Sequence, residues 1–189
     1  MTAVTVTARM TADEFLALPG DETGRRYQLI EGELVVNEPP WMHNCSQGTV
    51  LFALRSWTSA EPGRGQTGLP LDVRLDERNV HAPDAVWYRD GRVPGRGDPP
   101  PYPVPDLAVE VRSPSTWRYD IGAKKANYER YGVAELWLVD TAADVVLIFR
   151  RSQPKAPLFD VSLELGVGDT LASPLLPGFT LAVGEIFAD

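Results

Sequence analysis

The sequence predicts a mixed α/β (α+β) domain, with a central mixed β-sheet flanked by helices and preceded by an N-terminal helix and a β-hairpin. Three observations carry this. SQGTVLFALRSWTSA (46–60) repeats apolar residues at helical spacing. LPLDVRLDE, APDAVWY, DLAVEV, AELWLVD and DVVLIFRR are short apolar or alternating runs typical of strands. Their order along the chain is helix, hairpin, helix, several strands, helix, strands, which suits a sheet covered by helices.

TADEFLAL (11–18) reads as a short helix, because Thr11 can cap it and Glu14 stands three residues on, as in a capping box. RYQLIEGELVVNE (26–38) reads as a hairpin, with two apolar runs around a tight turn at Glu31-Gly32. PPWMH (39–43) is expected to be a loop. In the helix over 46–60, Val50, Leu51, Leu54 and Trp57 form the core-facing stripe. EPGRGQTG (61–68) is a turn-rich connector. LPLDVRLDE (69–77) alternates Leu71, Val73 and Leu75 against Asp72, Arg74 and Asp76, the pattern of a half-exposed strand.

APDAVWY (82–88) and DLAVEV (106–111) are strands on either side of GRVPGRGDPPPYPVP, whose Gly and Pro content forbids a regular element. RYDIGAKKANYERYG (118–132) reads as a helix ending at Gly132, a favoured residue just past a helix end. AELWLVD (134–140), DVVLIFRR (144–151) and LFDVSLEL (158–165) are further strands. LPGFTLAVGEIF (176–187) is a packing segment. Trp137, Leu138 and Phe149 suit a core better than an interface. Residues 1–10 are expected to be flexible, and 11–189 to form one domain.

The chain has 189 residues, enough for one compact domain with a substantial core. Its 43% hydrophobic and 23% charged residues are those of a globular protein, and no apolar run approaches the ~20 residues of a membrane span. MTAVTVTARM lacks the basic-then-apolar order of a signal peptide. A single cysteine, Cys45, excludes an intrachain disulfide and a cysteine-based zinc cluster. The cytoplasm is the expected location, with no membrane partner. The net charge of −8 argues against an extended nucleic-acid surface but is compatible with a local basic groove.

The chemistry concentrates in the strands. Side chains alternate faces, so Ala108, Glu110 and Arg112 share one face of DLAVEVR, and Asp84, Val86 and Tyr88 share one face of PDAVWY. If the two strands are neighbours, Asp84 and Glu110 converge. Converging carboxylates repel in a low dielectric, and a divalent cation removes that cost. Mg²⁺ takes oxygen ligands and keeps several waters, so Asp84, Glu110 and the Val111 carbonyl would form a partial shell. A solvated Asp84, and a Glu110 paired with Arg112 on its own face, fit the same residues.

Phosphodiester hydrolysis also needs a cation or base beside the attacking water. Arg112 stands where a lysine would complete Asp…Glu-x-Lys, and arginine keeps its proton. The next helix supplies Lys124: Asp120, Lys124 and Tyr128 follow one another at i, i+4 and i+8, and Tyr131 extends the stripe. The same spacing suits a solvated Asp120–Lys124 pair.

These residues resemble one family. MTADEFLAL, RYQLIEGELV, PPWMH, Pro83-Asp84, PDLAVEVRSPST, the Asp120–Lys124–Tyr128 spacing, YGVAELWLVD and LPGFTL are similar, in that order, to the Uma-type restriction endonucleases of the PD-(D/E)XK nuclease superfamily. The resemblance spans about residues 11 to 187. It implies a restriction-endonuclease-like PD-(D/E)XK core and Mg²⁺-dependent DNA cleavage, with Mn²⁺ as a substitute. It makes Asp84 and Glu110 metal ligands and Lys124 the migrated catalytic lysine. His43 in PPWMH matches a family histidine that would touch a phosphate or orient a carboxylate. His43, Arg112 and Tyr128 are the expected substrate contacts.

Two positions depart from the family: Gln28 stands where a Glu is usual, and His81 where an Arg is common. Glu33 remains as a weak site candidate. Ser113 is expected to hold the end of the Glu110 strand by a turn hydrogen bond. A homodimer is expected because two sites cut two strands most simply. A non-catalytic interaction module on the same scaffold, and a metal hydrolase for another phosphoester, are the rival readings.

Overall fold

The computed structural model describes residues 9–19 and 26–188. Most of the N-terminal segment expected to be flexible lies outside the described residues. Met10, at its end, is anchored: its N–H donates to the Gly32 carbonyl at 2.9 Å.

Helix α1 (Ala12–Leu16) carries the expected capping box. Thr11 Oγ1 accepts the Glu14 N–H at 3.3 Å, and Glu14 Oε2 accepts the Thr11 N–H at 2.7 Å. Strands β1 (Arg26–Ile30) and β2 (Glu33–Asn37) form the hairpin. Its turn has positive φ at Glu31 (51°) and Gly32 (78°), as a two-residue turn matched to strand twist requires. A Cβ on Gly32 would lie 2.7 Å from the Arg9 Cβ, so glycine is needed twice over.

Helix α2 (Trp41–Ala60) begins earlier than the sequence suggests. Pro39 and Pro40 block a helix upstream of themselves. Nothing in Trp-Met-His does, so residues 41–43 form the first helical turn instead of a loop. The expected strand over 69–77 also shrinks, to β4 (Val73–Arg74). Pro70 has no N–H for a ladder, and Asp76 Oδ1 accepts the Arg78 N–H at 2.7 Å, turning the chain toward β5 (Val80–His81). Together β2-β1-β5-β4 make a small antiparallel sheet.

The main sheet has the order β10-β9-β8-β7-β6-β3. Its strands are β3 (Gln66–Gly68), β6 (Ala85–Tyr88), β7 (Leu107–Val111), β8 (Glu135–Asp140), β9 (Val145–Arg150) and β10 (Val161–Gly166). β7 and β8 run parallel and the other pairs antiparallel, so the sheet is mixed as predicted. The connection from β7 to β8 passes through α3 (Trp117–Tyr119), a π-helical turn (Asp120–Lys124) and α4 (Lys125–Arg130). A parallel pair needs such a crossover. Gly132 follows it at φ 86°. Strands β11 (Thr170–Leu171) and β12 (Leu181–Ala182) and helix α5 (Val183–Ile186) build the C-terminal packing segment.

Period-2 alternation sorts the core. Ala85, Trp87, Leu107, Val109 and Trp137 face α2 through Val50, Leu54 and Trp57, with Phe179 and Ile186 from the tail. Ala108, Leu136 and Leu138 face the crossover through Tyr128 and Val133. Trp137 and Leu138 are core residues, and Phe149 packs partly buried on Phe159. No helix among the described residues is long and apolar enough to cross a membrane.

Candidate active site

The register of β6 and β7 brings the two predicted carboxylates together. Ala85 pairs with Val109, so one step further sets Asp84 opposite Glu110. Both are buried. Asp84 Oδ2 accepts the Val111 N–H at 2.7 Å, which clamps it to the end of β7. From α2, Gln47 Nε2 donates to the Asp84 carbonyl at 2.7 Å. His43, one turn earlier, sets Nε2 at 3.3 Å from Asp84 Oδ1 and Nδ1 at 3.4 Å from the Arg112 carbonyl. Burial opposes protonation of His43, but the hydrogen bond and charge of Asp84 together outweigh it, and its pKa is raised.

The crossover supplies the opposite wall. Lys124 Nζ lies 2.6 Å from Glu110 Oε2 and 3.1 Å from Asp120 Oδ1. Tyr128 donates its hydroxyl to Glu110 Oε1 at 2.5 Å, and Thr116 donates to Asp120 Oδ2 at 3.2 Å. Asp120, Lys124 and Tyr128 are all at most 1% exposed. In a regular α-helix of about 3.6 residues per turn, Tyr128 would stand roughly 80° around the axis from Asp120. The wider π-turn takes up much of that drift and keeps all three on the sheet side.

Glu110 and Asp120 therefore share one ammonium, with Asp84 opposite Glu110 in the sheet. Burial opposes charge on Lys124, yet Asp120 and Glu110 outweigh it and hold the amine protonated. Glu110 is pushed up to about 8, first by burial; Lys124 opposes this, while Asp120 and Asp84 add to it. Asp120 is raised by burial against the pull of Lys124. Tyr128 is raised by burial and by Glu110, so it remains a neutral donor. His81 lies edge-on to Tyr128, with ring centroids 5.2 Å apart, and is fully buried. Burial and then Lys124 depress its pKa, so it stays uncharged.

The other predicted residues fall as follows. Arg112 does not pair with Glu110 on its own face. Its Nη1 bonds both Asp140 oxygens, at 2.8 and 3.0 Å, and its guanidinium lies over the Trp117 ring. Strand alternation set the face correctly, but the partner at Glu110 is Lys124 from the crossover. Gln28 is buried, its Oε1 accepting the Ala82 N–H at 3.0 Å, a structural use of the amide. Glu33 is exposed and accepts the Tyr119 hydroxyl at 3.3 Å. Ser113 turns the chain through its carbonyl, which accepts the Thr116 and Trp117 N–H groups, while its hydroxyl meets Ser115. Tyr131 leaves the stripe and donates to Asp76 at 2.6 Å. The residue underweighted in the sequence is Asp120. Its spacing to Lys124 fitted a solvated pair, and only its burial shows otherwise.

A polar cleft of about 270 Å³ opens beside Asp84 and His43, lined by Arg26, Asn37, Asn44, Gln47 and Leu69 among others. Larger surface clefts of about 560 and 540 Å³ lie along α2 and the tail, with neither Asp84 nor Glu110 in their walls. Asp84 and His43 line the smaller one.

Residues 12–184 match the Uma2 family, described as a putative restriction endonuclease. The chain belongs to the Uma2 family. This Uma2 member also matches a crystal structure of a putative nuclease of the DUF820 group from Anabaena variabilis ATCC 29413. The two are 19% identical, with a TM-score of 0.77 over 94% of this chain and 97% of that one, a likeness of fold. No curated protein matches the Uma2 chain.

Proposed function

We propose that this Uma2 protein is a Mg²⁺-dependent DNA endonuclease. The observation that supports it is a buried carboxyl cluster: Glu110 and Asp120 contact Lys124, and Asp84, opposite Glu110 in the sheet, lines an open polar cleft. The donor chemistry fits the cation: facing carboxylates offer hard oxygens, and one or two of them suffice for Mg²⁺. Among the described residues, no three His, Cys, Asp or Glu side chains form a ready-made cage. The proposed holders are Asp84 and Glu110, with the Val111 carbonyl as a third donor and Mn²⁺ as a substitute. Bound there, the cation would polarise a phosphate and acidify water.

The chain's own residues have separable tasks. Lys124, held protonated, offers charge stabilisation to a phosphate and is not a base in that state. His43 orients Asp84 from the cleft side. Tyr128 fixes one Glu110 oxygen. Arg112, anchored on Asp140, leaves about a third of its side chain exposed for a backbone phosphate. A two-fold dimer would bring two such sites to the two strands.

The test is incubation of purified protein with supercoiled plasmid in Mg²⁺ and then Mn²⁺. Wild type is expected to nick or cut, and Asp84→Ala and Lys124→Ala to fold but not cut. Undiminished cleavage by both variants would reject the reading.

A further inference from the structure

Asp120 has no role in the chemistry just proposed, yet it is 1% exposed, with Oδ2 accepting from Thr116 and Oδ1 3.1 Å from the Lys124 ammonium. Glu110 is equally committed: Tyr128 holds Oε1 at 2.5 Å and Lys124 sits 2.6 Å from Oε2. A cation cannot join Glu110 while the ammonium keeps that place, because two positive charges would crowd one oxygen in a low dielectric. Tyr128, a neutral donor, can stay. An ammonium carries three donors, and the second carboxylate at contact distance is Asp120, at 3.1 Å. Thr116, four residues before Asp120, braces its other oxygen at 3.2 Å. The π-turn holds Asp120 and Lys124 on the same side as Tyr128.

We propose that Lys124 is a resident stand-in for the cation on Glu110, and that Asp120 is the positioning residue that retains the lysine when a divalent ion displaces it. This rests on the cation-dependent nuclease reading. Asp120 acts through Lys124 and does not touch the ion. The ammonium moves from a carboxylate it shares to one it keeps, and so remains beside the scissile phosphate.

The test is calorimetric titration of the full chain with Mn²⁺, for wild type, Lys124→Met, Asp120→Asn and the double variant, with thermal melts to verify folding. Lys124→Met removes the competing charge and is expected to tighten Mn²⁺ binding about tenfold. Asp120→Asn leaves the ammonium with Glu110 alone and is expected to weaken binding by a similar factor. In the Lys124→Met background there is no ammonium for Asp120 to retain, so Asp120→Asn is expected to change affinity far less than it does in wild type. Such non-additivity is the signature of action through a shared partner. Equal weakening in both backgrounds would make Asp120 a ligand and overturn the proposal, as would Lys124→Met failing to tighten binding.

A second readout needs no variant. The ammonium ¹⁵N resonance of the buried lysine is expected to shift on Mg²⁺ addition without being lost, and an unmoved signal overturns the exchange. No Mn²⁺ binding by wild type would remove the nuclease reading and this inference with it. Binding without coupling would remove the inference alone.

Discussion

Glu110 on β7 and Glu135 on β8 are both buried in one sheet, yet they face opposite sides of it. Glu135 stands on the α2 side, where Trp137 Nε1 donates to Oε1 at 2.6 Å and Ser173 to Oε2 at 2.7 Å. Each oxygen has one neutral donor, as a structural buried polar group requires. Glu110 stands on the crossover side among Asp84, Asp120 and Lys124, where three carboxyl groups gather near one ammonium. Burial raises both carboxyls. The difference lies in the neighbours. Neutral donors satisfy a buried carboxylate internally, whereas clustered carboxylates leave charge that something from outside can meet.

The strongest way to break this contrast is a pair of isosteric changes. Glu110→Gln is expected to lower plasmid cleavage about 100-fold or more and to abolish the rise in melting temperature with Mg²⁺ that is expected of wild type. Glu135→Gln is expected to preserve both. Equal losses in the two would erase the distinction.

The next effect is on stability. Glu135→Ala leaves the Trp137 N–H and the Ser173 hydroxyl without their partner beside a new void. Urea denaturation is expected to show a loss of about 2–4 kcal/mol, with cleavage per folded molecule retained.

A smaller effect sharpens the role of burial. The folded-state pKa of Glu135 is raised above its ordinary 4.5, first by desolvation. The fold thus favours the protonated form. That contribution is fully present below the ordinary value and is lost as pH rises through the raised one. Wild type should lose stability relative to Glu135→Gln on going from pH 4 to pH 7, and a constant gap in urea midpoints would contradict this.

The smallest effect concerns Asp106, a buried carboxylate met by cations from the surface. Arg89 Nε lies 2.7 Å and Arg92 Nη1 2.5 Å from Oδ1, each arginine about half exposed. Arg92→Ala is expected to cost about 1 kcal/mol or less, because Arg89 remains. A loss as large as that of Glu135→Ala would show that solvent does not screen this pair.

Much of this was legible in the sequence because it is local. Alternation in DLAVEV put Glu110 and Ala108 on one face. Thr11 and Glu14 announced a cap, Glu31-Gly32 a turn, and Gly132 a helix end. The pair Asp84 and Glu110 followed from alternation once the two strands were taken as neighbours. Residues 41–43 were misjudged because Pro39 and Pro40 end what precedes them and do not prevent a helix after them. Asp120 was underweighted because i, i+4 spacing is the same on a solvated face and a buried one.

Nothing in AELWLVD distinguishes its glutamate from the one in DLAVEV. Sequence determined which residues could share a face, since backbone geometry sets side-chain direction every second or every fourth position. Only the tertiary structure decided that Lys124 and not Arg112 meets Glu110, that Asp120 is buried with them, and that Glu135 is satisfied by Trp137 and Ser173. Those choices depend on which elements pack together and on how much water they exclude, and neither is a property of any short stretch of chain.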